Sequence, residues 1–479
     1  MNGKNHKSPT TARVLKALSV FGGVQIISIL CSVARNKLAA LWIGPVGIGL
    51  LAIYNSLTDM MMQLSLLNVP QSGVRDLAAD IHDRGRTAVN VYVIRRLMLM
   101  LGIAGMVLMA FLSPVFSEWA FGDTDHTVMF AALAVVILLQ ALLNRETTVM
   151  RGLDRLRPLA KCSVFGSVGL LAASVPLLYF LRTDGIVPMI ISCYLVAALL
   201  AYIYRVRDIP AVRLTLKEVW RKGRPMLTLG MYLTASTFIT MLASNIFIIF
   251  LRRHYGDAEV GFYQAGYTLI NTYVGMIFTS ISMEYYPRLA STIQHRFRTE
   301  VIVSHEIKIA MWVLMPVAVT FVCCSGLIIK ILYTSAFEAA LPFIIIGATG
   351  VFFRAVSWCM AFAIIARGDG KIYMLTETMS AVVYLALYMP LFNHFGFIGL
   401  GVGYVLWYFM YLLVVYAVYR FRYGMRLRRG IISLVAAGMA VAILAVIGYY
   451  TAGPWISLLL ILPPAAWGAW VTIQPKQKS

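Results

Sequence analysis

Residues 430–450 read Gly430-Ile-Ile-Ser-Leu-Val-Ala-Ala-Gly-Met-Ala-Val-Ala-Ile-Leu-Ala-Val-Ile-Gly-Tyr-Tyr450, a run without a charge. About 20 apolar residues at ~1.5 Å per residue span a hydrocarbon core of ~30 Å. Lipid cannot satisfy backbone N–H and C=O groups, and the run does not alternate as a barrel strand would, so it predicts a transmembrane helix. Similar runs, bounded by charges, Pro or Gly, lie near 17–43, 46–70, 90–112, 127–147, 160–181, 186–204, 226–251, 260–285, 305–331, 340–366, 372–392, 397–419 and 455–473. With 430–450 they make fourteen expected spans.

Composition agrees. The 479 residues are 60% apolar and 13% charged, with a mean hydropathy of +0.79. Ordinary soluble domains are ~45–50% apolar and ~25% charged. This excludes a soluble enzyme, a disordered chain and a nucleic-acid-binding domain, so no nucleic-acid partner is expected. The net charge of +21 then points first to an excess of cytoplasmic Lys and Arg. With an even number of spans and a cytoplasmic N-terminus, 34 of the 41 bases fall in cytoplasmic segments. Four fall outside (Arg182, Arg252, Arg253, Lys330) and three within spans (Arg35, Lys37, Arg354). Both termini are therefore expected in the cytoplasm. Residues 1–16 are polar and basic, and the apolar run after them is too long for a signal h-region, so it reads as an uncleaved first span.

The chain carries an internal echo. Gly44-Pro-Val-Gly-Ile-Gly49 and Gly256-Asp-Ala-Glu-Val-Gly261 share Gly-x4-Gly between one span and the next. Arg151-Gly152 aligns with Arg367-Gly368, Pro176 with Pro390, Gly185 with Gly396, Tyr194 with Tyr404, and Tyr204-Arg205 with Tyr419-Arg420. Six spans per repeat would insert both halves in the same sense, as in carriers built of parallel repeats. The expected fold is thus all-α and polytopic: two parallel six-helix repeats around a central cavity, plus two further C-terminal helices. The expected divisions are 1–206, a basic cytoplasmic linker 207–225, 226–420, and 421–479. No pore loop or filter motif argues for a channel.

Three stretches resemble a known family. They are Asn36-Lys-Leu-Ala-Ala-Leu-Trp-Ile-Gly-Pro-Val-Gly-Ile-Gly-Leu50, then Glu259-Val-Gly-Phe-Tyr-Gln264 with Tyr285-Tyr-Pro-Arg-Leu289, and Ile365-Ala-Arg-Gly-Asp-Gly-Lys-Ile-Tyr-Met-Leu-Thr-Glu377. In these, and in span count, the chain resembles Wzx-type oligosaccharide (O-antigen) flippases of the MOP superfamily. That superfamily includes lipid II flippases and MATE exporters. The resemblance implies movement of an undecaprenyl-pyrophosphate-linked glycan from the cytoplasmic to the periplasmic leaflet of a bacterial inner membrane. It further implies alternating access coupled to an H⁺ or Na⁺ gradient, a monomer among membrane lipids, and partnership with polysaccharide polymerase and chain-length machinery. A MATE-like exporter of small molecules is the alternative. A membrane polymerase or glycosyltransferase is disfavoured, because a polymerase would be expected to carry a large external loop.

An anionic pyrophosphate would favour fixed cations, and a buried cation costs ~2.5–3.5 kcal/mol at a span centre, so each should have a reason to be there. Arg354 lies 13 residues before Arg367 and 12 after Pro342, near the midplane. Arg35 precedes Gly44 by nine residues, and Lys37 points about 200° away from it on a helix. These three are the candidate cavity cations, with structural pairing or snorkelling as the competing readings. Asp59, with Asn55 one turn above, is a carboxylate well inside a span; it reads either as a coupling site or as a partner of Arg35. Glu377 reads as a coupling site or as an interfacial carboxylate with basic neighbours. Asn245, Gln264, Asn271 and Tyr273 could meet sugar hydroxyls or bond between helices. Most tyrosines read as bilayer-facing, packing or interfacial, with Tyr285 and Tyr286 as a belt pair before Pro287. The six cysteines show no C-x-x-C and read as small buried apolar residues; no metal site, Walker A sequence or catalytic constellation is present.

Overall fold

In a computed structural model the chain is helical almost throughout, with no strand among the described residues. The description covers residues 9–80, 83–210, 212–273, 275, 278, 285, 288, 289, 292, 293, 295–428, 430–451 and 453, with side chains from 27 onward except at 78, 79, 156, 228–230, 232, 233, 236, 272 and 273. The helices are α1 (Pro9–Leu66), α2 (Val69–Ala79), α3 (Arg84–Phe121), α4 (Thr127–Gly152), α5 (Leu156–Leu181) and α6 (Ile186–Ile203). There follow α7 (Leu216–Tyr255), α8 (Asp257–Tyr267), α9 (Arg296–Leu332), α10 (Leu341–Ala366), α11 (Gly370–Ala417) and α12 (Ile431–Thr451). Eight helical segments among the described residues are long and apolar enough to cross a membrane. The expected span near 455–473, and Tyr286, lie outside the described residues.

Three of those eight segments are 40, 47 and 53 residues long, and each is interrupted internally. The sequence placed turns between spans at the same points. In α1 the break is Gly44 (φ 63°, ψ −169°), and in α11 it is Gly396 (φ 56°, ψ −135°). A short 3₁₀ turn, Arg182–Gly185, separates α5 from α6. Gly256, the other leading glycine of the Gly-x4-Gly pair, takes φ 107° and ψ 178°. Gly44 and Gly256 thus share a positive-φ, extended-ψ conformation that is nearly closed to residues with a Cβ.

The chain forms two compact units, Met1–Met241 and Leu242–Ser479. In the first, α3 packs on α4, α5 on α6, and α1 on α5. The segment after α6 belongs to this core. Val206, Val219, Met226 and Leu227 are buried with Val91, Leu97, Val149 and Leu77. Sequence led us to expect a linker over 207–225, but the structure makes it helical from Leu216. Thr215-Leu-Lys-Glu218 is a capping box: the Thr215 amide and hydroxyl both donate to Glu218 Oε2 at 2.8 Å. These bonds hold the Glu218 carboxyl below its ordinary pKa. The short helix α2 was also unanticipated. Leu67 and Asn68 turn left-handed, and the chain restarts at Val69 with Pro70 in the first turn, burying Val69 and Leu77.

In the second unit α10 is the hub, packing on α11, α9 and α12. Ile345 and Ala348 of α10 meet Val319, Val322 and Cys323 of α9 and Ala445 of α12.

Candidate functional site

Arg354 stands in the middle of α10, one helical turn after Gly350. A Cβ at Gly350 would lie 2.8 Å from Tyr404 Cδ1 and 3.1 Å from Val405 Cα, so only glycine lets α11 close against α10 here. That approach brings Tyr404 and Tyr408 to the arginine. On the other side α8 runs into a π-helical turn, Thr268–Tyr273, which carries Ile270 and Asn271. Such turns are frequent at functional sites.

The guanidinium rests mainly on aromatic faces. Its Cζ is 5.3 Å from the Phe278 ring centroid and 5.6 Å from that of Tyr408. Nη1 donates to Tyr404 Oη at 3.3 Å and to the Ile270 carbonyl at 3.5 Å, both long bonds. Tyr404 Oη in turn donates to Asn271 Oδ1 at 3.5 Å, and Asn271 Nδ2 is buried with no partner among the described residues. No carboxylate among the described residues lies within salt-bridge distance of Arg354. An arginine has five N–H donors, and Arg354 commits few of them, loosely. It is a half-buried cation steadied by π faces and hydroxyls, with donors to spare.

The other sequence candidates of this unit divide. Asn271 joins the arginine's network. Asn245 is buried in α7 and Gln264 half-buried on α8; neither is among the groups that hydrogen-bond Arg354. The side chain of Tyr273 lies outside the described residues. Glu377, half-buried on α11, accepts the Tyr411 hydroxyl at 2.5 Å. Among the described residues it makes no ion pair.

In the first unit the structure gathers Arg35, Asp59 and α6. Arg35 lies against the Cys193 thiol, and both Arg35 and Asp59 come within electrostatic reach of Tyr194. The pair considered between Arg35 and Asp59 does not form: no ion pair joins them. Depth along the helices placed the two at similar levels, but Arg35 turns to α6 and Asp59 has no basic partner among the described residues. Lys37 and Asn55 are half-buried on the same broken helix.

Sequence reading missed most of the aromatic shell. Tyr404, Tyr408 and Tyr411 stand at i, i+4 and i+7, one face of a helix, and that spacing was the available signal. Tyr263, Tyr384, Tyr388 and Tyr404 are buried, the packing alternative among those expected for the tyrosines. Tyr285 likewise is core, 1% exposed, with its hydroxyl on the Cys359 carbonyl at 2.6 Å, and not a belt residue.

Eight membrane-length helical segments among the described residues, three of them broken, define a multi-pass membrane protein. A family model described as polysaccharide biosynthesis protein matches residues 44–342, more than half the chain, and the chain belongs to that family. It is 23% identical over 390 residues to the lipid III flippase of Escherichia coli (strain K12), covering 78% of this chain and 91% of that protein. The Shigella flexneri lipid III flippase matches equally. In fold it resembles the lipid II flippase MurJ in its inward closed conformation (TM-score 0.70, 12% identity, 94% of this chain and 98% of that one). It also resembles an inward-facing multidrug-resistance MATE family transporter of the MOP superfamily (TM-score 0.62, 15% identity, 85% and 95%).

Proposed function

We propose that this chain is a flippase that carries an undecaprenyl-pyrophosphate-linked oligosaccharide, an O-antigen-type repeat unit, from the cytoplasmic to the periplasmic leaflet of a bacterial inner membrane. It works by alternating access and has no catalytic step. In this reading the chain has fourteen spans, with both termini cytoplasmic. Three interrupted helices, α7, the run near 260–285 and the run near 455–473 bring the span total to the sequence expectation. The two six-span halves repeat. In support, Gly44 and Gly256 share one unusual backbone conformation, and the aligned tyrosines Tyr194 and Tyr404 each neighbour an arginine, Arg35 and Arg354 respectively.

The observation that carries the proposal is the half-buried Arg354 cation with no carboxylate within salt-bridge distance among the described residues. A pyrophosphate supplies the charge this guanidinium lacks and suits its planar fork. Arg35 is assigned the same role in the first unit, with Lys37 beside it, and Asn271 is assigned to sugar hydroxyls. Asp59 and Glu377 are the H⁺- or Na⁺-responsive carboxylates. An exporter reading rests on fold likeness to MATE transporters, whereas the sequence relatives are flippases. The test is flipping of a fluorescent lipid-pyrophosphate oligosaccharide in proteoliposomes. A charged hydrogen bond is worth ~1.5–3 kcal/mol, so Arg354→Ala should slow flipping by about 10- to 100-fold at equal insertion, with Arg354→Lys between. An unchanged rate for Arg354→Ala would overturn the proposal.

A further inference from the structure

The sequence contains two Arg-Phe-Arg triplets: Arg296-Phe297-Arg298 at the start of α9, and Arg420-Phe421-Arg422 in the π-helical turn that closes α11. They are more than a hundred residues apart, yet the second unit brings them to the same end. The strap from Arg422 to Arg428 is bonded on both sides. The Arg426 amide donates to Glu300 Oε1 at 2.9 Å and the Arg428 amide to Ser304 Oγ at 3.3 Å, one and two turns into α9. Arg296 lies over Gly424, where a Cβ would meet its Nη1 at 3.3 Å. On the other side Arg422 Nε and the Tyr423 hydroxyl both donate to Asp369, at 2.9 and 3.1 Å, and the Arg367 guanidinium stacks 4.4 Å over the Tyr423 ring.

Two features of this end stand out. First, its carboxylates are already engaged: Glu300 holds Arg296 and the strap, and Asp369 holds Arg422 and Tyr423. Arg298, Arg420, Arg426 and Arg428 make no ion pair among the described residues. Second, the two phenylalanines between the arginines face outward, Phe297 70% exposed and Phe421 86%. Large rings held in water between cations gain nothing there. At a membrane surface both parts are satisfied at once, the rings in the acyl boundary and the guanidinium groups at lipid phosphates.

We propose that the two Arg-Phe-Arg triplets and the strap between them form a docking site for the headgroups of anionic phospholipids. It is separate from Arg354 and does not depend on the flippase reading. The paired charges demand an anionic lipid, and the exposed rings demand a lipid rather than a free phosphate.

The test uses the full chain in neutral detergent, titrated with short-chain phosphatidylglycerol or phosphatidylcholine and followed by native mass spectrometry. Wild type should retain phosphatidylglycerol at least tenfold better, and that preference should fall as salt rises. At ~1 kcal/mol per surface arginine, R298Q/R420Q should weaken phosphatidylglycerol binding by about 25-fold and leave phosphatidylcholine unchanged. These two arginines make no ion pair among the described residues, so the double variant should elute as wild type does. F297S/F421S should weaken both lipids. An unaltered preference in R298Q/R420Q would overturn the proposal, as would salt-insensitive binding in the wild type. Full displacement by millimolar inorganic phosphate, with F297S/F421S binding normally, would also overturn it and leave a simple phosphate site.

Discussion

Replacing Glu146 by alanine should destabilise the first unit more than any other single charge change there. Glu146 is 1% exposed on α4. Its Oε2 accepts Arg95 Nη2 at 2.6 Å and Nε at 3.2 Å, and its Oε1 accepts Arg145 Nε at 3.0 Å. Arg95 Nη2 also donates to the Val206 carbonyl at 3.0 Å, so the carboxylate holds the arginine that holds the chain leaving α6. Breaking a buried ion pair by removing one partner costs ~3–5 kcal/mol, because the other charge is left uncompensated. Here two guanidinium groups would be stranded. They are 27% and 17% exposed and can recruit some water, which places the expectation toward the lower end of that range.

For a unit of this size each kcal/mol moves an unfolding midpoint by about 2–4 °C. Glu146→Ala should therefore lower it by about 6–15 °C. Glu146→Gln keeps an acceptor but loses the charge and should cost about half as much. The assay is thermal unfolding in one detergent at one scan rate, since such unfolding is often irreversible. A second readout is proteolysis: freeing Val206 from Arg95 should speed cleavage within 207–215. A midpoint within 2 °C of wild type for Glu146→Ala would refute the reasoning. So would a Glu146→Gln midpoint equal to that of wild type, which would mean the charge itself contributes nothing.

Gly44→Ala should destabilise by about 1–3 kcal/mol through its backbone alone, since its φ of 63° is strained for alanine and nothing lies within 4 Å of the new Cβ. Gly166→Ala, in a regular stretch of α5 with equally open surroundings, is the control and should be neutral or slightly stabilising in the same melt. Asp59→Asn should remove the pH or Na⁺ dependence of flipping in proteoliposomes while leaving insertion unchanged; a dependence identical to wild type would exclude Asp59 as the coupling group.

Helices and their interruptions were legible because each rests on local chemistry. Apolar run length specifies a span, and Gly44-Pro45 or Gly396 specifies where it stops. The beginning of α7 was legible too, since Thr215-x-x-Glu218 is a capping box, but the many basic residues around it suggested a solvated linker instead. Partners across helices were not legible. Depth along a helix follows from counting residues, yet which neighbour a side chain meets depends on rotation about the axis and on how closely two helices approach. Arg35 and Asp59 agree in depth and still do not pair. Tyr285 stands beside Pro287 like an interfacial residue and is buried because its hydroxyl finds the Cys359 carbonyl. Arg354 was found by its depth, whereas its aromatic seat depends on Gly350 allowing Tyr404 to come close.

The two ways this chain compensates a buried cation carry different consequences. Arg95 and Arg145 meet a carboxylate, whose charge compensates theirs and leaves less attraction for another anion. Such a pair can hold structure together and cannot easily release its grip. Arg354 meets rings and hydroxyls. A cation–π contact is worth ~0.5–2 kcal/mol, less than a desolvated carboxylate would supply, and a tyrosine hydroxyl can rotate away without leaving a charge behind. An acid paired with Arg354 would first have to be displaced by an incoming phosphate, and none lies within salt-bridge distance among the described residues. On the proposed reading, aromatic faces in that place keep the guanidinium oriented when empty and its charge available to an incoming anion. On the proposed reading Asn271 Nδ2, buried with no partner among the described residues, is a donor for a ligand that brings oxygen atoms.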